Sequence, residues 1–182
     1  MIEAINNIDF KILNFILDNL HNAFLDAVMP IITMLGDGGW FWIVVAVALL
    51  CTKKYRKYGV AAIIALAIGV IVGNGILKNV IARPRPYEGL DITLLVKKPW
   101  DWSFPSGHTQ ASFAVASVLM FMNKKKIGIP AIILAAMIGF SRIYLYVHYP
   151  SDVIGGMLLG IMWGIIGVAI VNKIKYFNGP DT

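Results

Sequence analysis

Acidic residues, histidine and cysteine are all scarce in this chain of 182 residues. It contains ten Asp and Glu, three His and a single cysteine, Cys51. One cysteine cannot form an intrachain disulfide or a thiolate metal cluster. Charged residues make up only 14% of the sequence, against roughly 25% in soluble domains. We therefore expect a membrane protein, and no second, soluble domain.

Apolar residues dominate instead, at 58% of the chain. A helix needs about 20 apolar residues to cross a bilayer, so six crossings would use most of the length. The sequence predicts an all-α membrane protein of one domain, a bundle of six transmembrane helices over residues 23–172. The stretch 23–36 is the weakest candidate because Asp26 and Pro30 interrupt it, and five crossings remain without it. The stronger candidates are 40–52, 59–82, 106–122, 127–147 and 151–171.

Residues 1–22 show a different pattern. Polar side chains recur every three or four residues from Glu3 to Asn22, with apolar residues between them. This spacing predicts an N-terminal amphipathic helix lying in the membrane interface. An ordinary helix packed against the bundle fits the same pattern equally well. The segment lacks a basic start followed by an apolar block, so we expect no removable signal peptide.

Basic residues fall into two groups, and their positions predict the orientation. Nine directly follow the second, fourth and sixth candidate spans, so they lie on one side of the membrane, which the positive-inside rule assigns to the cytoplasm. Lys11 is expected to join them. The other six lie at the extracytoplasmic face. The net charge of +6 thus reflects membrane insertion, and we expect no nucleic-acid partner. The cytoplasmic nine are Lys53, Lys54, Arg56, Lys57, Lys124, Lys125, Lys126, Lys173 and Lys175; the other six are Lys78, Arg83, Arg85, Lys97, Lys98 and Arg142.

Three segments with polar side chains are brought to this extracytoplasmic face by the order of the spans. They are 78–86, 105–108 and 141–152. The first and last supply Lys78, Arg85 and Arg142, whose fixed charges and donors suit a multiply charged oxyanion such as phosphate. Each cation taken alone fits equally well as an anchor that reaches towards the membrane surface.

The middle segment, Pro105-Ser106-Gly107-His108, begins a predicted helix. The free backbone N–H groups and dipole of a helix start favour an anion. Ser106 adds a hydroxyl, although a lone serine at this position is more often only a cap. Gly107 lets the backbone approach a ligand closely. A protonated His108 can donate to a leaving oxygen.

His148 and Asp152 are four residues apart across Pro150, which is well placed to begin the last helix. The Asp152 carboxylate can accept from one ring nitrogen of His148, which leaves the other free to attack phosphorus. For the pair alone, a surface histidine beside a helix-starting aspartate is the commoner arrangement. Two His and one Asp are also a possible set of metal ligands, but the neighbouring cations would repel a dication, so we expect no metal and no other cofactor.

Together these residues resemble the three-part signature of the type 2 phosphatidic acid phosphatase superfamily. The matching pattern is Lys78, six residues, Arg85-Pro86; then Pro105-Ser106-Gly107-His108; then Ser141-Arg142, five residues, His148, three residues, Asp152. The resemblance implies a metal-independent phosphatase in which His148 forms a phosphohistidine, supported by Asp152, and His108 protonates the leaving group. It also implies that the phosphoryl oxygens are held by Lys78, Arg85, Ser106, Gly107 and Arg142. Arg83 lies outside the motif, and it either steers a headgroup or has no role.

A site at the membrane surface favours a lipid phosphate or diphosphate as substrate. Similar small bacterial proteins act on undecaprenyl diphosphate, phosphatidylglycerol phosphate, phosphatidic acid or lipid A phosphates. Short loops favour the first two over a bulky glycolipid. A membrane anion or lipid transporter is the alternative from another class, but it predicts charge along the membrane depth and paired half-repeats, which this sequence lacks.

Overall fold

A computed structural model describes residues 2–122 and 125–174, and within these ranges the chain is helical without strands. Lys124 and Lys175, two of the nine expected cytoplasmic cations, fall outside the described residues. Short 3-10 turns cover Asp37–Gly39 and Lys53–Tyr55, and a π-helical stretch covers Gly69–Leu77. The α helices are α1 (Ile2–Asn19), α2 (Ala23–Met34), α3 (Trp40–Cys51), α4 (Arg56–Ile68), α5 (Lys78–Ile81), α6 (Gly107–Phe121), α7 (Lys125–Tyr144) and α8 (Pro150–Lys173).

Three helical stretches are long and apolar enough to cross a membrane, namely Lys53–Ile81, Lys126–Tyr144 and Pro150–Lys173. Helix α2 and helix α3 have 12 residues each, so each is about 18 Å long and too short for a hydrocarbon core of about 30 Å. They follow one another with a bend of 42°, and only together are they long and apolar enough to cross a membrane. The expectation of six transmembrane helices is therefore not confirmed, because 23–36 and 40–52 are each too short for a crossing of their own.

Helix α6 is the centre of the bundle. Most of its side chains are buried, and it packs closely against α8 along Gly156, Gly160 and Gly164. A Cβ atom on Gly160 would lie 2.4 Å from the carbonyl oxygen of Gln110. The four-residue glycine spacing on the last helix therefore serves close packing of the two helices.

A π-helical stretch accompanies the buried Gln110 side chain. Gln110 Nε2 donates to the carbonyl oxygen of Gly69 at 2.9 Å, and a Cβ atom on Gly73 would clash with the same side chain at 2.2 Å. The small-residue spacing at Gly69 and Gly73 therefore accommodates a polar side chain of α6. The carbonyl oxygen of Gly69 that accepts from Gln110 lies at the start of the π-helical stretch, where the regular α-helical pattern of hydrogen bonds changes.

Helix α1 lies across the end of the bundle where α7 ends and α8 begins. Its residues Asp9, Leu13 and Ile16 are buried, while Ile8 and Phe15 leave a second apolar face exposed. Burial of these residues holds Lys11 at the opposite end of the bundle from Arg56 and Lys173, so the structure does not group Lys11 with the cations that it was expected to join. The alternative of a packed helix is correct, and an interfacial location for the exposed apolar face stays a prediction.

The packing of α8 on α4 shows which polar residues lie at each end of the bundle. The C-terminal half of α8 packs on the N-terminal half of α4, where a Cβ atom on Gly167 would lie 2.4 Å from the carbonyl oxygen of Ala61. This antiparallel contact places Arg56 and Lys173 at one end. Lys78, His108 and His148 consequently lie at the other end, together with α1.

Candidate active site

A cavity of about 910 Å³ opens at the end of the bundle that contains Lys78, His108 and His148. It brings together residues of all three sequence motifs, which come from different helices. Ser106 and Asp152 do not line it and are fully buried behind its wall. The motif residues that line the cavity are Lys78, Arg85, Gly107, His108, Arg142 and His148.

Lys78 and Arg85 share one acidic partner, Asp101, in the connection between α5 and α6. Lys78 forms an ion pair with one carboxylate oxygen, and Arg85 donates to the other at 2.6 Å. Burial raises the pKa of Asp101, but the hydrogen bond and charge of Lys78, with the charge of Arg85, outweigh it and lower the pKa to about 2. Both cations are themselves nearly inaccessible to solvent. The carboxylate thus occupies donors that also suit a phosphoryl group.

Arg142 lies on the opposite wall, near the end of α7. Its NH1 group donates to Thr33 Oγ1 of α2 at 2.6 Å. Its Nε is a buried nitrogen that lacks a hydrogen-bond partner within residues 2–122 and 125–174. Buried donors normally have partners, so an unpartnered one beside a cavity is a reason to expect a ligand acceptor there.

His148 is buried, and each of its ring nitrogens has a different environment. Nδ1 is 3.4 Å from Asp152 Oδ2 and 3.4 Å from Ser103 Oγ. Nε2 is 3.3 Å from Arg85 NH1. A carboxylate beside Nδ1 favours the tautomer with the proton on that nitrogen, which leaves the Nε2 lone pair facing the cavity. Burial, then the positive charges of Arg85 and Arg142, lower the pKa of His148 well below its ordinary value.

The turn between α7 and α8 sets the relation of His148 to Asp152. The carbonyl oxygen of Arg142 accepts from the backbone N–H groups of Val147 and His148, both at 3.2 Å. Pro150 begins α8, and Asp152 in its first turn accepts from the backbone N–H of Tyr149 at 3.0 Å. The proline and this capping contact hold Asp152 one turn from His148, as the sequence predicted.

His108 has a carboxylate partner that the sequence did not predict. Asp37 Oδ1, from the connection between α2 and α3, lies 2.8 Å from His108 Nε2. This hydrogen bond is the main cause of a lowered pKa for Asp37. Gly36 makes room for the ring, since a Cβ atom there would lie 2.6 Å from His108 Cδ2.

Ser106 occupies the N-cap position of α6, but its side chain makes no capping hydrogen bond. Its Oγ accepts from Thr109 Oγ1 at 2.9 Å, and its backbone N–H donates to the carbonyl oxygen of Asp152 at 3.2 Å. Ser106 therefore links the second motif to the third. Gly107 lines the cavity, and a Cβ atom there would lie 3.0 Å from Asn74 Oδ1.

Four further residues contact the motif residues or, in the case of Asp9, the neighbouring Arg83 and Ser151, without any sequence signal of their own. They lie in connections or on the N-terminal helices, where no spacing relates them to the three motifs. Only the fold brings them near the cavity. They are Asp9, Asp37, Asp101 and Ser103.

The helical bundle, with three buried cations and two histidines around one cavity, defines an integral membrane protein with an anion-binding site of phosphatase type. A family model described as PAP2 superfamily matches residues 56–176. The chain belongs to this family, as the three motifs indicated.

Three relatives illustrate the similarity. An undecaprenyl-diphosphatase of Sulfolobus acidocaldarius is 36% identical over 90% of this chain and 80% of its own length. The undecaprenyl-diphosphatase BcrC of Bacillus subtilis is 34% identical over 86% of this chain and 80% of its own length. A crystal structure of a transmembrane PAP2 type phosphatidylglycerolphosphate phosphatase from Bacillus subtilis superposes with a TM-score of 0.78 and 29% identity, covering 96% of this chain and 89% of the other.

Proposed function

We propose that this membrane lipid phosphatase removes a phosphoryl group from a lipid diphosphate or phosphate by way of a phosphohistidine on His148. One observation carries the proposal. His148 lines the same cavity as Lys78, Arg85 and Arg142, with its Nε2 atom 3.3 Å from Arg85 NH1, while Asp152 lies beside the other ring nitrogen. A neutral, oriented imidazole beside three cations fits nucleophilic attack on phosphorus.

In the first half-reaction, His148 Nε2 attacks the phosphorus atom while the bond from phosphorus to the leaving oxygen breaks. His108 lies on the same cavity and donates a proton to that oxygen. The cations stabilise the charge that develops on the phosphoryl oxygens. Asp152 stabilises the positive charge that develops on the His148 ring.

In the second half-reaction, water attacks the phosphorus atom of phosphohistidine. His108, now neutral, accepts a proton from this water, and the phosphorus–nitrogen bond breaks. Inorganic phosphate leaves, and His148 returns to its starting form. No step uses a metal ion, and the cation-rich wall of the cavity disfavours a dication.

The substrate we favour is undecaprenyl diphosphate, with phosphatidylglycerol phosphate as the second choice; phosphatidic acid and lipid A phosphates remain alternatives. The names of the relatives support this order. The cavity also supports a lipid substrate, because its lining includes apolar side chains, among them Ile43, Leu66, Val70 and Ala111. An isoprenoid or acyl chain fits such a lining while its phosphate reaches the cations. A transporter is not favoured, because the cations gather at one end of the bundle.

We place the active site at the extracytoplasmic face and the Arg56 and Lys173 end in the cytoplasm, following the positive-inside rule. With α2 and α3 sharing one path, the chain has five crossings. The N terminus is then extracytoplasmic, with the exposed apolar face of α1 in the membrane interface.

The test is phosphate release by purified protein from a panel of the four lipid classes. We expect turnover of the diphosphate to exceed that of the others, to continue in excess chelator, and to vanish in His148→Ala with the variant still monodisperse in detergent. Turnover retained in His148→Ala would refute the nucleophile. Loss in chelator that Mg²⁺ restores would refute the metal-independent mechanism.

A further inference from the structure

The N-terminal helix is connected to the catalytic pair by a buried carboxylate, Asp9. This side chain is nearly inaccessible to solvent. It accepts from the backbone N–H of Ser151 at 2.9 Å and from Arg83 NH2 at 2.7 Å. Ser151 immediately precedes Asp152, so Asp9 holds the first turn of α8 from the side opposite the cavity.

Arg83 continues this connection to Asp152. Its NH1 group donates to Asp152 Oδ1 at 2.6 Å, while NH2 donates to Asp9. Its guanidinium lies 3.8 Å from the centre of the Tyr149 ring. Arg83 does not line the cavity. It therefore faces Asp152 rather than a headgroup, which the sequence alone left undecided.

The two oxygens of Asp152 consequently have separate partners. Oδ1 is bound by Arg83, and Oδ2 faces His148 Nδ1 and accepts from Ser103 Oγ at 2.5 Å. A carboxylate fixed at both oxygens cannot rotate about its Cβ–Cγ bond without breaking a charge-assisted hydrogen bond. Arg83 also compensates a negative charge that is fully buried.

We propose that Asp9 and Arg83 are positioning residues for His148, acting through Asp152, so that α1 is part of the catalytic apparatus. This inference rests on the proposed function, since it assigns His148 as the nucleophile. Arg83 fixes the carboxylate that orients the imidazole. Asp9 fixes Arg83 and the start of α8, and it transmits the position of α1 to the reacting nitrogen.

The experiment compares Asp9→Asn, Arg83→Gln and Arg83→Lys with wild type, and uses Asp18→Asn as the matched control. Asp18 is an exposed carboxylate on the same helix. We expect kcat to fall by about 100-fold in Arg83→Gln, as misplacement of a catalytic group by about 1 Å can cause, and less in Asp9→Asn. KM should change little, because the cations of the cavity are intact. Arg83→Lys should recover part of kcat, and Asp18→Asn should match wild type.

A double variant tests whether both residues act along one path. Because Asp9 acts partly through Arg83 and partly through its own contact with Ser151, Asp9→Asn should lower kcat by a smaller factor in the Arg83→Gln background than in wild type. Independent, multiplicative losses would overturn the inference. So would a wild-type kcat in Arg83→Gln, or a rise in KM with kcat unchanged.

A spectroscopic measurement keeps the inference testable apart from turnover. With ¹⁵N-labelled histidine in detergent, Arg83→Gln and Asp9→Asn should shift the Nδ1 signal of His148 and leave that of His21 in place.

If wild type hydrolyses no lipid phosphate but these shifts occur, the proposed function fails and the positioning contact stands. If wild type is active and the signals do not move, only the positioning contact fails. Should Asp9→Asn not fold, Ser151→Ala is the milder variant. It removes the hydroxyl that donates to Asp9 Oδ2 and accepts from Arg83 NH1, and it keeps the backbone contact with Asp9. It should shift the His148 signal in the same direction.

Discussion

At the scale of single residues, the site depends on keeping one imidazole neutral among fixed positive charges. His148 lies in a buried position beside Arg85, with Lys78 and Arg142 on the same cavity. Protonating its ring would add a fourth positive charge in a place with little water. In the proposed mechanism, the cations that hold the phosphoryl group therefore also keep His148 in its reactive, neutral form.

The pH titration of His148 tests this double role of the cations. An ordinary histidine has a pKa of about 6.5, and we expect the ¹⁵N signals of His148 to report a neutral ring well below that pH. Removing a cation in Lys78→Gln should raise the pKa of His148, because a nearby positive charge opposes protonation. Lys53→Gln, at the far end of the bundle, is the control. A titration of His148 that is identical in the two variants would contradict the electrostatic explanation.

The sequence predicted the residues around the cavity better than it predicted their partners. Lys78, His108 and His148 follow motif spacing, and the order of helices brings them to one end. Asp37 and Asp101 lie in connections, where no periodicity constrains a single acidic residue. Asp9 contacts Arg83 across 74 positions of sequence, and a contact of that range depends on how α1 folds back over the bundle.

At the scale of helices, hydropathy predicted the long spans and failed at α2. A continuous helical stretch appears over Lys53–Ile81, close to the predicted 59–82, because its apolar run is uninterrupted. In 23–36, Pro30 lies inside the helix Ala23–Met34, and the helix ends before the turn that contains Gly36, Gly38 and Gly39. Hydropathy measures polarity, so it did not show that two short helices separated by a bend would stand here.

Close packing of α6 against α8 is testable at Gly160. In Gly160→Ala the new Cβ would lie 2.4 Å from a backbone oxygen, which cannot rotate away as a side chain could. Overpacking typically costs about 1 to 3 kcal/mol, which exceeds the gain of up to about 1 kcal/mol in helix propensity. We expect a lower Tm in detergent.

Gly75→Ala is the matched control for this substitution. Its Cβ would meet the nearest atom at an ordinary 3.5 Å, so the propensity gain is not opposed by a clash. Its Tm should equal or exceed that of wild type. An unchanged Tm in Gly160→Ala would mean that the two helices separate easily, contrary to the packing described above.

At the scale of the whole molecule, the count of crossings determines where α1 lies. Six crossings would place the two termini on the same side of the membrane, and five place them on opposite sides. The contacts of α1 with the ends of α7 and α8 require that it lie beside the active site. Only an odd number of crossings is compatible with those contacts if Lys173 is cytoplasmic.

Cysteine labelling distinguishes these two topologies directly. In a Cys51→Ser background, Asn7→Cys adds one thiol on the exposed face of α1, and Asp91→Cys adds one in the exposed connection between α5 and α6. Five crossings predict that a membrane-impermeant maleimide added to intact cells labels both thiols. Six crossings predict labelling of Asp91→Cys alone.

Wild-type Cys51, exposed at the end of α3, should react only after the membrane is opened, because the positive-inside rule places that end in the cytoplasm. If the Asn7→Cys thiol reacted only after opening, α1 would lie on the cytoplasmic side, and its contact with Arg83 would have to be abandoned.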